Sequence, residues 1–236
     1  MNRLTDVVKN LILINVVFFV GQMALANVID VTQGYSHFPL SRYFKPFQII
    51  TSMFMHADVG HLLMNMSGLF FLGPMVESAL GAKRFLIMYL IAGLAGTFLH
   101  YGVDYFTFAS IKDQIDPSVL SEILEKGREA MLLPSQWTNQ VKELHGAVNT
   151  PSLGASGAVY GVVIAFATMF PKMKLMIIPI PVPVPAFVIG IVYVGGSLLG
   201  GVGQFQGDNI AHFAHLGGAI AGFIMIHFWK MANLRS

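Results

Sequence analysis

GASGAVYG, residues 154–161, opens an apolar run that reaches Phe170 without an Asp, Glu, Lys or Arg. The run Ser156 to Phe170 is 15 residues long, and at 1.5 Å per residue it covers only about 22 Å. A helix crossing a hydrocarbon core of roughly 30 Å needs about 20 residues. If Pro171 and Lys172 fix one end at a membrane surface, the other end starts below the opposite surface, and PSLGA descends to it as non-helical chain. Such backbone survives at membrane depth only when it is buried in protein or lines a watery cavity. Ser156 is therefore expected on the floor of a pocket open to one side.

Composition supports a membrane setting. Of 236 residues, 55% are hydrophobic and 11% charged, about half the charge of a soluble domain. Charge is also segregated, with long apolar stretches joined by short charged ones, as in a polytopic helical protein. We expect an all-α membrane protein, a single membrane domain over 1–236 with six spans at about 10–29, 61–80, 85–103, 156–170, 185–202 and 211–229. The apolar run after Arg3 and Lys9 is too long for a signal-peptide core and reads as a retained first span. Six spans put both termini on one side, and that side then carries Arg3, Lys9, Lys83, Arg84, Lys172, Lys174, Lys230 and Arg235 on short joints. The long segment after span three carries seven acids. The positive-inside rule places both termini in the cytoplasm. Without cysteine, disulfides and thiolate metal sites are excluded. The net charge of +2 is uninformative about partners; no nucleic-acid partner is expected.

The segment 104–153 is a long polar insertion. Within it Asp116 and Pro117 read as N-cap and first turn of an amphipathic helix over VLSEILEKGREAMLL, expected on the outer membrane surface. PIPVPVP, residues 179–185, cannot be helical throughout and marks the start of span five.

Four polar side chains stand in the spans where Leu or Ala would be bland: His61, Asn65, Ser156 and His215. Intramembrane polar groups face the bundle interior and mark function by default. Taken singly, Ser156 reads equally well as a small packing residue. His61 and Asn65, four apart, share a helix face, fit to donate to one oxygen or to each other's helix neighbours. The Ser156 amide at a helix N-terminus would add a third donor for a developing oxyanion. His215 lies on a stripe with Gly218 and Gly222, and span four offers Gly157 and Gly161. Packing through these small residues would bring His215 to Ser156 as nucleophile and base. Tyr160, one turn beyond Ser156, could stack on the imidazole or simply pack. His212 is the rival base. Asp208 lies before span six and reads as a loop or helix-entry acid, so a Ser–His dyad is the economical reading. Glu77, the one acid inside a span, reads as a structural pair or cap. His56, His61, His212 and His215 could be imagined around a metal, but no HExxH and no carboxylate at ligand spacing accompany them. Neither metal nor cofactor is expected.

The set HxxxxHLxxN in span two, GASG opening a short span four and AHxxHxxGxxxG in span six resembles the rhomboid intramembrane serine proteases, over essentially the whole chain. The resemblance implies a rhomboid-like bundle with Ser156 as nucleophile, His215 as general base, and His61, Asn65 and the Ser156 amide as oxyanion donors. It implies Tyr160 as the aromatic packed on the catalytic imidazole, Gly154 as a groove-lining backbone position, and His56 as a supporting histidine. Single-span membrane proteins would be the substrates, cut near the outer end of their helix after a small residue. Phe47 and Gln48 stand where many members carry Trp and Arg. A compact six-span form suits a bacterial inner membrane. A non-catalytic scaffold or chaperone of the same fold, binding client helices, is the alternative, and a small-solute transporter ranks third because only one span is broken.

Overall fold

The structure is a computed structural model that describes residues 4–177, 180–203 and 211–233. Its helices are α1 (Asp6–Leu25), α2 (Gln48–Thr51), α3 (Val59–Leu80), α4 (Ala82–Ile111), α5 (Pro117–Lys126), α6 (Asn139–Asn149), α7 (Ser156–Met169), α8 (Ala186–Gly203) and α9 (His212–Asn233). It is an all-α membrane bundle apart from one small β-hairpin. Among the described residues three helices are long and apolar enough to cross a membrane: Asp6–Leu25, Val59–Leu80 and the Ala82–Gln114 stretch that contains α4. Their outward faces carry bare apolar side chains such as Val17, Met23, Phe71 and Phe98, which is where a bilayer would meet them.

α7 is the centre. Ten of its fourteen residues are buried, with α3, α4, α8 and α9 packed around it. The α7–α9 seam is glycine on glycine. A Cβ built on Gly218 would land inside the Gly157 carbonyl, and one on Gly222 would sit 2.5 Å from the Gly161 oxygen. α4 closes the third side, where a Cβ on Gly96 would lie 2.5 Å from the Ala214 oxygen and one on Gly217 at 2.5 Å from that of Ala95. Backbones touch here because no side chain intervenes.

α1 buries Val8, Leu11, Asn15, Phe19 and Gln22, a helical stripe that packs on α3. Glu77 fastens the two helices. Its carboxylate accepts the Thr5 hydroxyl and the Val7 and Val8 amides, at 3.2 and 2.9 Å for the latter two. These are orphan N–H groups at the start of α1, so Glu77 is a cap supplied from another helix.

Chain descending to α7 is non-helical, as its shortness requires. Ser36 and Ser152 exchange both backbone hydrogen bonds at 2.8 Å, and the Gly154 amide donates to the Ser52 carbonyl at 2.8 Å. The first loop, residues 26–58 between α1 and α3, therefore satisfies this part-buried backbone.

Three expectations need correction. α4 runs to Ile111 rather than ending near Val103, so the insertion begins later and Asp104 lies buried inside the helix. No Gly or Pro interrupts YFTFASI, and Tyr101 and Ile111 gain a protein partner. α5 has the expected Asp116 cap, which accepts the Ser118 amide at 2.8 Å, but it stops at Lys126. Gly127 at φ +60° ends it. Nor does it lie free on a membrane surface. Val119 and Ile123 pack with Val141, Leu144 and Val148 of α6 against Phe38, Tyr101 and Ile111, so protein covers its apolar face. The proline-rich stretch before α8 forms the second strand of a hairpin, β1 (Lys174–Ile177) and β2 (Ile180–Pro185), with Leu175 opposite Val184. Prolines 181, 183 and 185 alternate, so all turn the same edge and leave the intervening amides for pairing.

Gly218→Ala should lower stability by about 1–3 kcal/mol through overpacking. Gly102→Ala, whose new Cβ meets nothing within 4 Å, should be neutral or stabilising by up to about 1 kcal/mol. Thermal unfolding of both variants in detergent measures the contrast.

Candidate active site

Ser156 is the first residue of α7, and its placement follows from Gly154. That residue has φ +116°, a conformation side chains avoid. A Cβ there would also strike the His61 ring, 2.7 Å from Cε1 and 2.8 Å from Nε2, with Asn65 Nδ2 at 3.7 Å. His61 and Asn65 thus converge on one side of the backbone immediately before Ser156.

On the other side, Ser156 Oγ lies 2.8 Å from His215 Nε2. His215 is buried, and the Tyr160 ring stacks on it at 4.1 Å between centroids with 13° between planes. A hydroxyl at this distance from an imidazole nitrogen is placed to give up its proton. His212 has a different position. Its ring stands edge-on to His215 at 6.3 Å and lies over Gly200 of α8, where a Cβ would collide with it. Asp208 lies outside the described residues.

His61 is set by its own turn of helix. The Asp58 carboxylate caps α3 by accepting the His61 amide at 2.8 Å, and the Ala57 amide donates to His61 Nδ1 over a long 3.5 Å. With Nδ1 as acceptor, the ring proton falls on Nε2, the nitrogen turned toward Gly154. Asn65 is buried, and its Nδ2 has no hydrogen-bond partner among the described residues. A buried amide donor left unmade costs about 1–3 kcal/mol. Both groups present N–H donors to one small volume beside Ser156.

His56 lies in the loop before α3, fully buried, with its ring edge-on to His61 at 5.1 Å. Gln22 of α1 holds it by donating to the His56 carbonyl at 2.8 Å and accepting its amide at 3.3 Å. Burial first, and the neighbouring His61 second, depress the His56 pKa to about 4. His56 thus packs behind His61, whose ring lies against Gly154. Among the described residues no three His, Cys, Asp or Glu side chains gather as metal ligands.

Sequence reasoning passed over Gln22, and noted Gln48 only as a departure from the rhomboid pattern that put a structural role there in doubt. Gln22 is a polar residue on the apolar stripe of α1, the same signal that picked out Asn65. Gln48, standing where many rhomboids carry Arg, is buried and organises the first loop. Its oxygen accepts from Lys45 and His37 amides at 3.0 and 3.4 Å, and its nitrogen donates to the Gln33 and Tyr43 carbonyls at 3.1 and 2.9 Å. Sequence reasoning also passed over a part-buried pair on α4, His100 Nε2 and Asp104 at 3.7 Å.

A helical membrane bundle with a serine and a histidine in contact at the head of its short central helix defines the class. The rhomboid domain model matches residues 43–111 and 130–230, and the chain belongs to the rhomboid family. It is similar to RHOMBOID-like protein 12, mitochondrial, of Arabidopsis thaliana, with 29% identity over 75% of this chain and 44% of that protein. It is similar to Rhomboid protein 1, mitochondrial, of Saccharomyces cerevisiae, with 28% identity over 78% of this chain and 42% of the relative. Presenilin-associated rhomboid-like protein A, mitochondrial, of Danio rerio is 28% identical over 74% and 35%. The chain spans less than half the length of these curated relatives. Their names place them in mitochondria, which runs against the bacterial inner membrane expected above; what stands is an integral membrane protein.

The sign of one pH effect follows from His56. Its unfolded-state pKa of 6.5 falls to about 4 on folding, so the unfolded chain binds more protons between these values. The stability this group contributes is complete above about pH 6.5 and is lost as pH falls through about 4. Unfolding midpoints in detergent at pH 7.5 and 4.5 should therefore differ less in His56→Gln than in the wild type.

Proposed function

We propose that this chain is an intramembrane serine endopeptidase that cuts the transmembrane segments of single-span membrane proteins. The observation that carries the reading is the 2.8 Å contact between Ser156 Oγ and His215 Nε2, at the N-terminus of a helix too short to span. As Ser156 Oγ attacks the scissile carbonyl carbon, His215 Nε2 takes its proton. Negative charge gathers on the carbonyl oxygen, which accepts hydrogen bonds from the Ser156 amide, His61 Nε2–H and Asn65 Nδ2–H. Collapse of the tetrahedral adduct breaks the C–N bond, and the leaving amine takes the proton from His215. The acyl group now on Ser156 is released by water, whose proton passes to the same nitrogen.

Tyr160, flat against the imidazole, keeps His215 from turning away, and the positive φ of Gly154 lets extended substrate backbone approach without a side chain in between. Attack requires neutral His215, so activity falls on the acid side of its titration. The short basic joints, with Lys83, Arg84, Lys172 and Lys174 among them, support six crossings with both termini on the cytoplasmic side and the pocket above Ser156 opening opposite. The unmade Asn65 donor supports catalysis over a purely structural serine, because packing alone has no use for a buried amide without an acceptor.

A scaffold that binds client helices without cutting them would not react with a serine-directed fluorophosphonate. Wild type should be labelled by such a probe and should cut a model membrane-anchored substrate in liposomes. Ser156→Ala and His215→Ala should lose both activities, and Asn65→Ala should lower kcat about 10²- to 10³-fold. Equal cleavage by wild type and Ser156→Ala would remove Ser156 from the chemistry.

A further inference from the structure

Away from Ser156, the structure holds a crevice between the C-terminal half of α1 and the first loop. Its cavity volume is about 530 Å³, inside the range of about 300–1,000 Å³ for small-molecule sites. The walls are graded. Val17, Phe18 and Leu25 of α1, with Phe47 and Met55 from the loop, line the apolar part, while Asp30 and Gln33 line one end. Val17, Phe18, Leu25 and Phe47 are also exposed. On a membrane-spanning helix those faces meet acyl chains, so the crevice continues the surface that lipid already covers. From Val17 to Leu25 the helix rises eight steps, about 12 Å, from the hydrocarbon toward the polar end.

The polar end carries both signs of charge. The Lys45 ammonium donates to Oε1 of the lining residue Gln33 at 2.8 Å, so a cation stands beside that end of the crevice. Asp30 is exposed, and hydrogen bonds from Thr32, foremost among the causes, hold its carboxyl below the usual carboxylate range. An apolar slot with an ammonium and a carboxylate at its rim matches a phospholipid whose head carries a phosphate and an amine. We propose that this crevice binds one aminophospholipid molecule, an acyl chain between α1 and the first loop, its phosphate at Lys45 and its amine at Asp30. Gln22, on the crevice wall, is the side chain that grips the His56 backbone. The occupant therefore packs directly against the support of the His61 side of the site.

Gly21 provides the test, because a Cβ there meets nothing within 4 Å and a larger side chain enters the crevice rather than another helix. The full chain, delipidated in mild detergent, is titrated with dioleoylphosphatidylethanolamine and examined by native mass spectrometry. Wild type and Gly21→Ala should retain one lipid per chain, and Gly21→Phe should lose it while keeping its unfolding temperature. Should Phe unfold the chain, Gly21→Leu takes its place. Lys45→Ala and Asp30→Asn should each weaken retention several-fold, and dioleoylglycerol, which lacks phosphate and amine, should bind less well than the phospholipid. Equal retention by Gly21→Phe and wild type, a broad ladder of adducts without a 1:1 species, or equal binding of dioleoylglycerol would each overturn the proposal. The readout is lipid mass, independent of cleavage.

Discussion

Backbone-to-backbone contact between α7 and α9 is the constraint on which the site rests. In a bilayer no hydrophobic effect drives two apolar helices together, so their separation is set by the bulk between them. Here that bulk is absent. Gly157 and Gly161 face Gly218 and Gly222, and α4 adds Gly96 against Ala214. The serine and the histidine occupy the first turns of their helices, just beyond this seam. A 2.8 Å contact between side chains as short as Ser and His follows only if the helix axes come that close. One methyl group at Gly218 would have to displace the carbonyl of the residue next to Ser156.

The second constraint is the incomplete helix. Ending α7 below the surface leaves the chain before Ser156 with polar backbone at depth, and lipid offers it no partner. The first loop meets that need through the Ser36–Ser152 pair and the Gly154–Ser52 bond. The loop itself is held from within by Gln48, and at its far end by Gln22 on the His56 backbone. A segment that reads as a connection is thus a structural wall of the site. Its failure would unseat His61 before it touched Ser156.

Legibility in the sequence followed the physics of each feature. Ser156, His215, His61 and Asn65 stood out because polarity in an apolar run is costly and needs a reason, and the glycine stripes gave the seam because helical spacing is fixed. Gln22 carried the same signal and was missed, since one Gln on the first span has no visible partner until His56 folds against it. The hairpin at residues 174–185 was hidden by prolines, which exclude helix but leave strand and loop indistinguishable without a partner strand. α4 outran its expected end because a charged residue, Asp104, resembled a boundary. It lies instead beside His100 within the helix. α6 and the second core under α5 depend on contacts among residues 38, 101 and 141–148, a separation no local pattern encodes.

Two hydrogen-bond donors with little else to do are what the proposed chemistry draws on. His61 Nδ1 is occupied by the Ala57 amide, which leaves Nε2–H directed at the volume beside Gly154, and Asn65 Nδ2 reaches the same volume. A fold selected only for stability would cover such donors or replace them with apolar groups, since each unmade bond costs more than a made one returns. Keeping both beside a serine hydroxyl and an unsubstituted glycine is useful if an oxygen acceptor arrives from outside. A peptide carbonyl laid along Gly154 would bring one to the place where these donors meet, with its carbon within reach of Ser156 Oγ.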